Sequence, residues 1–244
     1  MRENGKDTNQ AVPQTPQHRT AAQEVALVVP IYNEGPVIAK VLNEAKTIFP
    51  HIICVDDGSV DDSAALARAA GATVLTHAIN LGQGAALQTG ITYYLRATEL
   101  PYVATFDADG QHRTDDVVSM WERAKTEEFD IIFGSRFLSE RQEMGAAKRI
   151  VLKTAAWATA RTTHMELTDA HNGLRLLSRR AAGTLNLKQN RMAHASEIVA
   201  QLGKSGLPWA EMPVHIRYTD YSKAKGQSLW NSINIVMDLV MGVR

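Results

Sequence analysis

Two aspartates, Asp107 and Asp109, stand two residues apart at the end of a short apolar run, Val103-Ala104-Thr105-Phe106. Val, Thr and Phe favour a strand, and the run is short enough to be a buried one. If extended geometry continues through Asp107-Ala108-Asp109, both carboxylates point the same way. Like charges that close repel, and a divalent cation relieves the repulsion. Hard oxygen ligands suit Mg²⁺ or Mn²⁺, which keep open positions for water and for substrate phosphate. The stretch therefore predicts a metal–diphosphate site at the carboxyl end of a central strand, where open α/β sheets bind ligands. The plainer alternative for a lone D-x-D is a solvated acidic turn.

Two other strand ends carry similar chemistry. Glu24–Ile31 is an apolar run that ends in Pro30-Ile31-Tyr32-Asn33-Glu34, and Ile52–Val55 ends in Asp56-Asp57-Gly58-Ser59. Taken singly, Asp56-Asp57-Gly58 is a tight turn. In a parallel sheet, however, the three ends share one edge. A nucleotide there needs a wall for its base, an acid for base N–H or ribose hydroxyls, and a cation for its phosphates. Tyr32 offers the wall, Asp57 the acid, and Asp107 with Asp109 the cation; Glu34 serves either the ribose or the loop. Gly134-Ser135-Arg136 closes another strand, and its arginine suits bidentate phosphate binding or a surface salt bridge. Arg175, in Asp169-Ala-His-Asn-Gly-Leu-Arg175, has the same two readings. His194 and Glu197 share a helical face. Glu211 opens a strand and reads as structural.

The elements that must hold these residues alternate strand and helix. A helix follows Pro36, with Val37, Ile38, Val41, Leu42 and Ala45 at helical spacing. Helices are also expected over 61–70, from about 84 to 98, and over 115–125. Strands are expected over 72–75, 103–106 and 129–133. This order argues a mostly parallel sheet with helices on both faces. Beyond it, residues 137–146 read as a mobile loop, 148–162 as a helix, 172–177 as a strand, 193–202 as a helix and 209–216 as a last strand. From Leu229, the residues Leu229, Trp230, Ile233, Val236, Met237, Val240 and Val243 fall on one face of a C-terminal amphipathic helix.

Composition narrows the function. Lys plus Arg and Asp plus Glu each count 26 in 244 residues, so no global basic field points to nucleic acid. The single cysteine, Cys54, lies in an apolar run and fits a reducing compartment. No Walker A sequence exists, and Asn80-x-Gly82-x-Gly84 lacks the third glycine of a dinucleotide fingerprint. Residues 1–22 read as a disordered polar tail, and no run of about 18 apolar residues exists to span a bilayer.

As an ordered set, VVPIYNE, VDDGSVDDS, NLGQGAAL, FDADGQH, GSR, DAHNGLR and EMPV resemble the family 2 glycosyltransferases. The subgroup they are most similar to is the dolichyl- and polyprenyl-phosphate mannose and glucose synthases. The resemblance covers about residues 24–216 and implies a GT-A (Rossmann-like) domain over 23–216, followed by a loop and helix over 217–244. It implies a UDP- or GDP-hexose donor, Mg²⁺ or Mn²⁺, and transfer with inversion. On it, Pro30, Tyr32, Glu34, Val55 and Asp57 surround the nucleoside, with Ala108 also on the donor side. Asp107, Asp109 and Gln111 hold metal and diphosphate, and Arg136 faces phosphate. Arg175 or Lys225 adds positive charge near the acceptor or the leaving group. The tail departs from the pattern: Lys225-Gly226-x-Ser228 stands where the synthases carry a differently spaced G-x-S-K.

The expected acceptor is a lipid phosphate, already largely ionised at neutral pH and so in no need of a general base (second pKa about 6). A hydroxyl acceptor would need a base, for which Asp169 is the candidate. A lipid acceptor would place the protein on the cytoplasmic face of a membrane, with the C-terminal helix either in the interface or packed on a second subunit. The alternatives are a transferase that extends a saccharide and a non-catalytic nucleotide-binding protein.

Overall fold

The computed structural model describes residues 21, 23–138, 165–191 and 193–217. Seven strands form one sheet: β1 (Val25–Ile31), β2 (Ile52–Asp56), β3 (Thr73–Thr76), β4 (Tyr102–Thr105), β5 (Ile131–Ser135), β6 (Arg175–Ser178) and β7 (Trp209–Pro213). Their order in space is β3-β2-β1-β4-β6-β5-β7. The helices are α1 (Gly35–Lys46), α2 (Ser63–Ala69), α3 (Gln83–Ala97), α4 (Thr114–Thr126), the short α5 (Arg179–Ala182) and α6 (His194–Lys204).

β1 lies at the heart of the sheet, and its side chains alternate between two cores. Val25, Leu27, Val29 and Ile31 face one cluster, with Ile38 and Leu42 of α1 and Met120 of α4. Ala26 and Val28 face the other, with Leu87, Ile91 and Tyr94 of α3 and Ile198 of α6. Period-two strand residues meeting period-3.6 helix stripes on both faces is the layer arrangement the alternation predicts. α3 can lie flat on β1 and β2 because Gly90 has no side chain: a Cβ there would sit 2.4 Å from Val28 Cγ1.

The expected mostly parallel sheet has one reversal. β6 runs antiparallel to both neighbours, β4 and β5, whereas β5 and β7 are parallel. The reversal puts the start of β6, not its end, at the edge where β1, β2 and β4 finish. Arg175 and the loop before it thereby join the acidic strand ends. The strand expected over 209–216 stops at Pro213, and α5 is an element that the periodicity did not announce, being only four residues long. The expected helix over 148–162, the C-terminal helix and Lys225 lie outside the described residues, as does nearly all of the loop over 137–146. Ala21, at the end of the polar N-terminal stretch, is fully buried against the first core.

Candidate active site

The β1–β2 register sets Pro30 beside Val55 and Ile31 beside Asp56, so the loops that follow are neighbours. They are clasped together. Asn33, at φ +54°, donates its N–H to Ser59 Oγ (3.0 Å), and Val60 N–H donates to Asn33 Oδ1 (3.0 Å). Glu34 N–H donates to Ser63 Oγ (2.7 Å), and Gly35 N–H to Asp61 Oδ2 (3.0 Å). Tyr32 is 43% exposed at the rim of this clasp, while Glu34 is buried. An exposed aromatic on a fixed loop suits a flat base.

Asp57 is 3% exposed, and its carboxylate is fully engaged within the protein. Oδ1 accepts from Leu81 N–H (2.9 Å) and bonds His77 Nδ1 (2.7 Å), and Oδ2 accepts from Gly82 N–H (2.7 Å). His77 reaches on to Thr89 Oγ1 (2.9 Å). The acid expected beside the nucleoside thus also builds the Asn80–Gly84 loop. That loop packs closely on residues 189–190: Gly84 N–H donates to Asn190 O (2.9 Å), and a Cβ on Gly82 would fall 2.1 Å from the same oxygen.

Asp107 and Asp109 follow β4 in a turn, not in continued extended chain. Gly110 takes φ +76°, and Asp109 Oδ1 accepts from Gln111 N–H (3.0 Å). It is the turn that brings the carboxylates together. Burial raises the Asp109 carboxyl above the usual range, and the charges of Asp107 and Glu34 add to the effect. Burial also pushes Asp107 upward, but the hydrogen bond and charge of His112, with Arg175 and His194 behind, outweigh it and leave Asp107 lowered. The two acids are therefore driven apart in affinity for a proton, as neighbouring carboxylates are.

Asp107 is held on both oxygens by side chains. Oδ2 bonds His112 Nε2 (2.9 Å), and Oδ1 accepts from Gln83 Nε2 (3.2 Å). Gly173 presses against it: a Cβ there would lie 2.1 Å from Oδ2. His112 is nearly fully buried, its ring steeply inclined to that of Phe106 (66°, centroids 5.5 Å apart), and its Nδ1 has no hydrogen-bond partner among the described residues.

Arg175 is 2% exposed, below the site and not on its surface. Its guanidinium donates to Ala170 O (3.3 Å), and its Nε is unpaired among the described residues. Burial lowers its pKa to about 10, against the pull of Asp107 and Asp169. It serves as a buried counter-charge, and direct phosphate contact would require it to emerge. Arg136 is half exposed. Its Nε and one terminal nitrogen donate to Asp169 Oδ2 (2.7 Å) and Oδ1 (2.8 Å), and its backbone N–H also donates to Oδ2 (3.0 Å). The salt-bridge reading of Arg136 is thus present, with a buried acid as its partner. His194 and Glu197 do not act as a pair: His194 Nδ1 donates to Arg191 O (2.7 Å), while the Glu197 carboxylate accepts from Lys188 and Gln189 N–H.

A sequence model described as glycosyl transferase family 2 matches residues 26–185. The chain belongs to that family. As a member it is a nucleotide-sugar glycosyltransferase. The transferase is 34% identical to an uncharacterised protein of Methanocaldococcus jannaschii, over 89% of this chain and 91% of that one. It is 28% identical to the UDP-N-acetylglucosamine–dolichyl-phosphate N-acetylglucosaminyltransferase of Methanococcus voltae, over 89% and 95%. Its fold is similar to that of glucosyl-3-phosphoglycerate synthase from Mycobacterium tuberculosis in complex with UDP, with a TM-score of 0.61, 18% identity, and 93% and 84% of the two chains covered. The same synthase is known with Mn²⁺ and UDP-glucose bound.

His112, His77, Gln83 and Gly173 escaped the residue-by-residue reading. His112 had a signal, since it ends the FDADGQH motif. His77 and Gln83 reach acids more than 19 positions away, and no local spacing announces such pairs. No helix among the described residues is long and apolar enough to cross a membrane.

Proposed function

We propose that this transferase moves a hexose, with inversion, from a UDP- or GDP-sugar to a polyprenyl phosphate, with Mg²⁺ or Mn²⁺ bound. The observation that carries the reading is the turn after β4, where Asp109 has its carboxyl raised by burial and by the charge of Asp107. Two hard oxygen donors that repel each other fit a divalent cation. Asp107, Asp109 and Gln111 would hold it, with the remaining positions left to donor phosphates and water. Such a cation, when bound, neutralises charge on the departing diphosphate.

The chain's own residues do the rest. Tyr32 walls the base, and Pro30 and the fully buried Val55, paired in the β1–β2 register, back the strand ends that carry the loop. Asp57 keeps the Asn80–Gly84 loop in place along the donor. His112 and Gln83 fix the orientation of Asp107. Arg136 faces phosphate, held by Asp169, and Arg175 offsets the acids from below. Chemistry supports this acceptor class: Asp169, the candidate base for a hydroxyl, is committed to Arg136 in a bidentate ion pair. A phosphate monoester attacks without a base. The name of the Methanococcus relative points to the same acceptor class.

The test is nucleoside diphosphate release from UDP-N-acetylglucosamine, UDP-glucose and GDP-mannose, with undecaprenyl phosphate or a soluble saccharide as acceptor. Release that requires the lipid phosphate and stops in excess chelator is expected. Turnover with the saccharide alone would move the acceptor to that class, and full turnover in chelator would remove the metal.

A further inference from the structure

Glu211 is a carboxylate in a strand otherwise made of Trp209, Ala210, Met212 and Pro213. One of its oxygens, Oε1, accepts three hydrogen bonds: from Thr168 N–H (2.8 Å), Asp169 N–H (3.1 Å) and Thr168 Oγ1 (3.1 Å). The β5–β7 register places Glu211 opposite Phe133, two residues before β5 ends at Ser135. Ser135 Oγ bonds Thr168 Oγ1 (2.7 Å), which ties the same turn to the strand that carries Arg136. Asp169, the next residue in the turn, is 2% exposed at its side chain and clamps the Arg136 guanidinium on two nitrogens. The links run without a gap from Glu211 through the Thr168-Asp169 backbone to Arg136. Both backbone N–H groups that orient the Asp169 turn end on one glutamate oxygen. Burial raises the Glu211 carboxyl, and those bonds partly offset the effect.

We infer that Glu211 is a positioning residue for glycosyl transfer: through the Thr168-Asp169 turn it holds Asp169, and so fixes the direction in which Arg136 presents its charge. The inference rests on the reading of Arg136 as facing phosphate. A glutamate that served only the fold would lower stability and leave Arg136's contribution to turnover intact.

A double-mutant cycle separates the two. Diphosphate release is measured, well below each melting temperature, for the parent, Glu211→Ala, Arg136→Ala and the double variant, with the donor selected above and undecaprenyl phosphate. Misplacing a charge by about 1 Å costs up to ~100-fold, so each single variant is expected to lose ~10- to 100-fold in kcat/KM. The double variant should be no slower than Arg136→Ala alone, within about twofold. Glu211→Gln, which keeps an acceptor oxygen, should restore most of the rate. Should Glu211→Ala not fold, Glu211→Asp, which retracts the acceptor by one methylene, takes its place in the cycle. Losses that multiply, or a silent Glu211→Ala beside a costly Arg136→Ala, overturn the inference alone. A silent Arg136→Ala overturns the reading of Arg136, and the positioning role falls with it.

Discussion

The turns after β2 and β4 look alike in sequence and differ in how their acids are bonded. Each follows a parallel strand with aspartates and then a glycine in the left-handed region, Gly58 at φ +74° and Gly110 at φ +76°. In the first, Asp57 accepts two backbone N–H groups and a histidine. In the second, Asp107 is held by the side chains of Gln83 and His112, and Asp109 accepts the N–H of Gln111 within its own turn. A backbone donor of another loop has nowhere else to go once buried, so Asp57, which satisfies that of Gly82, is part of the scaffold, whereas the one N–H that Asp109 accepts comes from its own turn and is only part-buried. Side-chain donors can turn aside, so an acid held by them can change partners when a cation or phosphate arrives. Similar motifs thus divide into a frame and a reacting edge.

Asp109→Asn should give the largest effect on activity. Removing one hard ligand forfeits several kcal/mol of charge stabilisation, or ~100-fold or more in diphosphate release. Calorimetry should show Mn²⁺ binding lost while the circular dichroism spectrum is kept. A variant that still turns over at the parent rate would erase the distinction between the turns.

Asp57→Ala should weigh on stability instead. It leaves the buried N–H of Gly82 without its acceptor, at ~1–3 kcal/mol for a buried group left unpaired, and the part-buried N–H of Leu81 with it. Urea unfolding at neutral pH measures it. If the midpoint were unchanged and donor affinity alone fell, Asp57 would belong with the reacting edge.

The smallest effect is a difference in sign. The Asp109 carboxyl is raised in the fold, so its contribution to stability is full below the ordinary carboxylate range, near pH 4, and is lost as pH rises through its raised value. The Asp107 carboxyl is lowered, so its contribution is present above that range and is lost as pH falls through the lowered value. At neutral pH without metal, Asp109→Asn should therefore raise the melting temperature slightly and Asp107→Asn lower it. Scanning calorimetry of the two variants, prepared in chelator, reads both signs. Added Mn²⁺ should raise the melting temperature of the parent and leave that of Asp109→Asn unmoved.

Much of the parallel half was legible because its cues are local. β1, β2 and β4 are short apolar runs bounded by acids and glycine, and α1 and α3 carry clear apolar stripes. The D-x-D pair was legible as a pair of charges, although the geometry that joins them is a turn and not extended chain. The reversal of β6 was not legible, since Arg-Leu-Leu-Ser has no feature that encodes direction. Nor was the depth of Arg175: a lone arginine in sequence defaults to the surface, and only Asp107 and Asp169 converging from separate loops make its burial tolerable. Glu211 read as structural from its place in a strand, while the turn that it holds lies 43 residues away along the chain.

Reversing β6 also sets the order in which the sheet can close. β1, β2, β3 and β4 occupy one continuous stretch, residues 25–105, joined by short crossovers. β6 must return from Arg175 to pair with Thr105, and Thr105 Oγ1 meets Gly173 O only after that return. Contacts of such long sequence separation form late, because loop closure precedes any gain from pairing. The acids of the reacting edge are thus laid down with the early half of the molecule, and Arg175, their buried counter-charge, arrives with the late half.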